Sequence, residues 1–197
     1  MSRIVVISGG LGTPSSTRVL GDAVVARLRE NLLERGESVE VTVAELRELA
    51  HPIVDAMLTG FPTGELAAVV DAVARADALV VVSPTFSASM SGLVKSFFDI
   101  LEPGTLAGKP VLMAATGGTE RHSLMLEFAM RPLFSYLGAL PVRTAVFAAT
   151  SDFGGPGAAS LARRVKEGAD ELAAALAGAP RRATDDGFVE FAALLAS

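Results

Sequence analysis

Apolar positions along the chain follow two rhythms that take turns. Residues 4–7 are an unbroken apolar run that stops at Ser8-Gly9-Gly10. A short, unbroken run of this kind predicts a strand buried on both faces. Over residues 17–35 the spacing changes: Leu20, Val24, Leu28 and Leu32 recur every four positions, which predicts a helix with Gly36 as its C-cap. Residues 38–43 alternate strictly. Val39, Val41 and Val43 fall on one face and Ser38, Glu40 and Thr42 on the other, as in a half-exposed edge strand. Residues 45–61, broken by Pro52, Gly60 and Pro62, carry no readable rhythm. Beyond them come a helix over 65–75, a buried strand over 78–82 and a helix over 91–101. A third buried strand covers 111–115, and 123–137 reads as a helix that Pro132 should kink or interrupt. A last strand is expected over 142–148 and a helix from about Pro156 to Ala177. Residues 178–182 read as a linker. Phe188, Phe191, Ala192 and Leu195 give a short helical stripe after it, so the chain divides into a domain at 1–180 and a tail at 181–197.

Strand and helix alternate five times. That pattern implies an α/β domain, a parallel sheet with helices on both faces. Five strands with an exposed second one suit the flavodoxin-like doubly wound order 2-1-3-4-5; the six-stranded Rossmann order needs one strand more. In such a sheet ligands bind beyond the C-terminal strand ends, where the strand order switches. The loops at that place are 8–17, 83–92 and 116–122. All three are rich in Gly, Ser and Thr.

The first loop lacks the Gly-Lys-Ser/Thr ending of a nucleotide P-loop and the Gly-x-Gly-x-x-Gly register of a dinucleotide fold. It offers hydroxyls and free amides at a helix N-terminus, which suits a phosphate monoester. The plain alternative is that Ser15, Ser16 or Thr17 caps the helix. In the second loop Pro84 removes a donor, and the amides after it could hold the polar edge of a flat heterocycle. The plain alternative there is a strand-to-helix connection with Ser91 as N-cap. Gly117 and Gly118 in the third loop allow close approach to a ring, or only a tight turn. His122 has no second histidine or carboxylate at metal spacing, and a capping or structural role fits it better than catalysis; His51, beside Pro52, reads as a surface loop residue, and no metal site is expected.

Composition narrows the classes. Half the residues are apolar and 20% charged, so a large core is within reach and a disordered chain is excluded. Aromatics are only 6%, and aliphatics must fill that core. A net charge of −5 argues against nucleic acid. The absence of cysteine excludes thiolate nucleophiles, disulfides and zinc–thiolate sites. The run at 4–7 is too short for a signal peptide, and no stretch reaches the ~18 apolar residues of a bilayer span. The expectation is a soluble, cytoplasmic protein without a membrane partner.

Three motifs stand in order: Ser8-Gly9-Gly10 with Pro14-Ser15-Ser16-Thr17; Pro84-Thr85-Phe86 with Gly92-Leu93-Val94-Lys95 and Asp99; Thr116-Gly117-Gly118-Thr119 with His122. Together they resemble the NAD(P)H-dependent FMN reductases of flavodoxin-like fold, over about residues 3–175. The stretch 116–139, with Arg131-Pro132-Leu133 and Leu137-Gly138-Ala139, is similar to reductases that work with flavin-dependent monooxygenases. The chain departs from the pattern at Gly10 and Gly12, where the family often has Ser and Arg, and at Phe86, usually tyrosine. The resemblance implies FMN and NAD(P)H as cofactors, with hydride passing to flavin N5 and no catalytic side chain. The implied cofactor set is Ser8, Gly10, Ser15, Ser16 and Thr17 for the phosphate loop, Pro84, Thr85, Phe86 and Ser87 for the ribityl and pyrimidine side, and Thr116, Gly117, Gly118 and Thr119 for the ring. It also implies a homo-oligomer, dimer or tetramer, and a partner oxygenase that takes the reduced FMN. An FMN-containing quinone or azo-dye reductase and a non-catalytic electron carrier are the alternatives. The helical segment 123–137 is apolar on more than one face, which marks it as the assembly surface unless the tail folds over it.

Overall fold

The computed structural model describes residues 1–178. The expected linker and tail beyond them lie outside the described residues. Strand β1 (Ser2–Ser8) leads into helix α1 (Ser16–Glu34), and β2 (Val39–Glu45) runs parallel to β1 at the sheet edge. Helices α2 (Ala50–Thr59) and α3 (Gly64–Arg75) precede β3 (Ala78–Phe86), which turns back into the short β4 (Ser89–Met90). Then come α4 (Gly92–Asp99), β5 (Pro110–Gly117), α5 (Arg131–Tyr136), β6 (Leu140–Pro141), β7 (Val146–Ala149) and α6 (Ala158–Gly178). The sheet order is β2-β1-β3-β5-β6, with β7 also on β5. β6 and β7 share the outer edge of β5, so they are one fifth position in two pieces, and the order is the expected flavodoxin-like one.

Alternation along the buried strands sends successive side chains to opposite faces. Val5, Ile7, Leu79, Val81, Val111 and Met113 pack with Phe97, Phe98 and Phe134 on one face. Phe98 sits edge-on to both other rings. Ile4, Val6, Val80, Val82, Leu112 and Ala114 pack with Leu20, Val24, Leu28 and Leu172 on the other face, under α1 and α6. These two helices are also joined directly: Asn31 Nδ2 donates to Asp170 Oδ1 at 2.6 Å, and Arg35 Nη1 to the Ala173 carbonyl at 2.9 Å. Helix α1 ends as expected at Gly36, whose φ is +72°. Gly36 N bonds Leu33 O and Glu37 N bonds Leu32 O, the paired bonds of a Schellman motif.

Three expectations need correction. The unreadable segment 45–61 holds a 3-10 turn (Leu46–Leu49) and α2, because Pro52 falls in the first helical turn, where a missing N–H costs nothing. Gly60, at φ +83°, ends that helix. The helix expected over 123–137 is divided: a π turn at Leu126–Met130 is followed by α5, with Pro132 in its first turn. The strand expected over 142–148 is interrupted, because side chains claim the backbone of its middle. Arg131 donates to the carbonyls of Val142 and Arg143, and Glu171 accepts from the Thr144 amide and hydroxyl.

Candidate functional site

β1, β3 and β5 lie side by side, and their C-terminal ends bring the three loops to one rim. Ser8 stands opposite Val82, and Pro84 opposite Thr116. The loops also touch through side chains. Thr17 Oγ1 and Thr116 Oγ1 are 3.0 Å apart and buried, which ties the first loop to the third. Gly9 N donates to Val82 O at 2.8 Å, and a Cβ on Gly9 would run into Val94 of α4. That packs the first loop against the second.

In the first loop Ser15 is the N-cap of α1, and its Oγ accepts from Arg18 N at 3.2 Å. The capping alternative is therefore correct for Ser15. Ser16 is exposed at the helix start. The amides of Ser16 and Thr17 lie in the first helical turn, where the helix supplies no acceptor. Gly10 is buried, and a Cβ there would collide with Ser15 Oγ and lie 3.1 Å from Thr17 Cβ. Ser8 is 2% exposed, and its Oγ has no partner among the described residues.

The second loop is more ordered than a simple connection. β3 continues through Pro84 and Thr85 to Phe86 and pairs with β4, Thr85 opposite Met90 and Phe86 opposite Ser89. Ser87 and Ala88 make the turn with φ of +49° and +62°, so this is a two-residue hairpin of primed type. Phe86 and Ser87 are exposed at its tip. Thr85 Oγ1 is shielded and has no partner among the described residues. Ser91 holds the N-cap position of α4 without a side-chain cap; its amide instead donates to buried Ser83 Oγ at 2.9 Å.

In the third loop a Cβ on Gly117 would lie 2.8 Å from the Phe147 ring, so its bareness makes room for that ring. Gly118 opens to free space, and Thr119 is exposed. His122 is exposed in a short 3-10 turn, Glu120–His122. Behind this loop, on the β7 side, lies a cleft of about 560 Å³ lined by Glu120, Leu124, Phe147, Asp152 and Arg164 among others. It takes in no residue of the first two loops. In its wall Glu127 is held below the usual carboxylate range by its hydrogen bonds to Arg131.

Sequence reasoning passed over one side chain at this rim. Arg47, in the 3-10 turn after β2, donates from Nη1 to Thr13 Oγ1 of the first loop. It sits in the segment without rhythm, and its only legible signal was a basic residue just past an edge strand.

A family model described as NADPH-dependent FMN reductase matches residues 2–154. An FMN reductase (NADPH) of Pseudomonas aeruginosa is 40% identical over 151 residues, 77% of this chain and 78% of that protein. An NADH-dependent FMN reductase of Pseudomonas fluorescens is 38% identical over the same shares. Among solved structures, an oxidoreductase from Corynebacterium diphtheriae matches with a TM-score of 0.87 and 45% identity, covering 90% of this chain and 97% of that one.

Proposed function

The chain belongs to the NADPH-dependent FMN reductase family, and on that footing we propose how its three loops divide the work. It is an NAD(P)H:FMN oxidoreductase. Bound FMN supplies the N5 atom that takes hydride from the nicotinamide, chemistry that asks the protein for orientation rather than for an acid or base. The observation that carries the site assignment is the pair of hydroxyls Ser8 Oγ and Thr85 Oγ1, shielded and without a partner among the described residues at two adjoining loops. A buried hydroxyl without a partner costs about 1–3 kcal/mol, which polar ligand atoms at the rim would offset.

The first-turn amides of Ser16 and Thr17, with the Ser16 hydroxyl and the bare Gly10 backbone, hold the phosphate. Ser15 fixes the helix start behind them. Thr17 acts through Thr116, keeping the first and third loops in register. Pro84, Thr85, Phe86 and Ser87 face the ribityl and pyrimidine side, and Gly117, Gly118 and Thr119 face the ring. The hairpin tip with Phe86 shields that side from water. Turnover tests this: NAD(P)H oxidation, run with both nicotinamides, should be at least about tenfold faster with FMN than with riboflavin at low flavin, because charge-assisted bonds to the phosphate are lost. Equal rates would remove the phosphate role of the first loop.

The reduced FMN is handed to a separate flavin-dependent monooxygenase. The resemblance of 116–139 to reductases of that kind supports this, and the family match favours it over a quinone reductase or a carrier. The enzyme assembles as a homo-oligomer. Leu124, just before the π turn, and Phe128 within it are 62% and 77% exposed, and Tyr136 at the end of α5 is 88% exposed, large apolar side chains left open to solvent on this segment. A second copy is the expected cover. Sedimentation at micromolar concentration should give a species of at least twice 20.3 kDa, and Phe128→Asp should return it to the monomer. A wild-type monomer would overturn the assembly.

A further inference from the structure

A phosphate monoester at the first loop carries up to two negative charges, yet the loop from Ser8 to Thr17 contains no basic side chain. The next residue, Arg18, is engaged elsewhere: Nε donates to Asp22 Oδ1 at 2.8 Å and Nη1 to Glu45 Oε1 at 2.7 Å. Arg47 differs. Among the described residues its side chain makes one hydrogen bond, from Nη1 into the loop, to Thr13 Oγ1. Its approaches to carboxylates are loose, Nε to Glu45 Oε2 at 3.8 Å and Nη2 to Glu48 Oε1 at 3.6 Å, and Glu48 is largely exposed. Nε is shielded from solvent and has no hydrogen-bond partner among the described residues. A guanidinium presents five donors in a planar fork, so most of this one remains available to an anion.

We propose that Arg47 supplies the positive charge for the phosphate monoester bound at the first loop, brought there from the turn after β2 and aimed by Thr13. This rests on the reading above that the loop takes the flavin phosphate. The 5′-phosphate of FMN and the 2′-phosphate of NADPH share this chemistry; contact with Thr13 favours the flavin. Glu45 holds Arg18 firmly and Arg47 loosely, which keeps Arg47 beside the loop without neutralising it.

The test is equilibrium binding of FMN and riboflavin, followed by flavin fluorescence, to the wild type, Arg47→Met, Arg47→Lys and Thr13→Val. Arg47→Met should weaken FMN about tenfold or more and leave riboflavin within about twofold. Arg47→Lys, which keeps the charge without the fork, should fall between. Added salt should weaken FMN binding to the wild type more than to Arg47→Met. Thr13→Val removes the aiming contact but keeps the cation, and should cost about threefold or less. The proposal is overturned if Arg47→Met keeps both the FMN affinity and the KM for NADPH of the wild type, or if Thr13→Val loses as much as Arg47→Met, because Arg47 would then only fasten the loop. A rise in KM for NADPH alone in Arg47→Met, with NADH and FMN unchanged, upholds the phosphate contact and moves its source to the nicotinamide. A wild type that binds both flavins equally is a different failure: it removes the phosphate from the loop, whatever Arg47 does.

Discussion

Gly10→Val is expected to lower FMN affinity about a hundredfold or more, read by flavin fluorescence. Even a single added carbon at this buried position collides with Ser15 Oγ and presses on Thr17 Cβ and Ser15 Cβ, at 3.1 and 3.2 Å. Ser15 can escape only by giving up its bond to Arg18 N, a cap worth about 1 kcal/mol. The valine methyls add overpacking of about 1–3 kcal/mol, and the loop must shift to relieve it. A shift moves the first-turn amides away from the phosphate, so binding suffers more than folding does. Gly92→Ala is the control. A Cβ there meets nothing within 4 Å, and FMN affinity should stay within about twofold. If Gly10→Val binds FMN normally, the loop does not hold the phosphate in the way assigned.

Lys109→Met should destabilise the fold by about 3 kcal/mol, seen in denaturant titration and as a melting temperature lower by roughly 10 °C. Lys109 is 4% exposed, and its Nζ donates to the carbonyls of Val73, Ala74 and Ala76 at 2.9, 2.9 and 2.7 Å. Val73 and Ala74 lie in the last turn of α3 and Ala76 is its C-cap, where the helix has no further turn to supply amide donors. Methionine keeps most of the volume and removes every donor. Lys95→Met, which breaks an exposed pair with Asp99, should cost about 0.5 kcal/mol or less. A loss below about 1 kcal/mol at Lys109 would mean that water replaces the ammonium there.

The strands were legible because a strand buried on both faces has no polar alternation to hide it: residues 4–7, 78–82 and 111–115 announce β1, β3 and β5. The rim was legible for the same reason, since Gly, Ser and Thr gathered at just those strand ends. What escaped depends on contacts between distant positions. Pro52 looked like a breaker and sits where a helix tolerates proline. The interruption of the last strand comes from Arg131 and Glu171, 11 to 27 positions away in the chain. Thr17 looked like a free phosphate ligand, but its hydroxyl meets Thr116, 99 residues on. Ser15 was readable both ways, and the structure makes it the cap. Arg47 reaches the first loop across 34 residues, a distance over which local pattern carries no information.

The closure of one sheet face by α1 and α6 has a consequence for the order of events during synthesis. α1 is among the first segments to leave the ribosome and α6 follows more than a hundred residues later; the bond between Asn31 and Asp170 spans 139 positions. Until residues 158–178 emerge, Leu112, Ala114, Val146 and Ala148 lie on a face that only α1 can cover in part. The opposite face, served by α2 through α5, can close earlier from nearer neighbours. The nascent chain therefore passes through a half-covered state with one apolar side open, the kind of intermediate that aggregates or engages chaperones. Its lifetime is set by translation speed across 110–178, so slow codons in that stretch would lower soluble yield while leaving the finished enzyme unchanged.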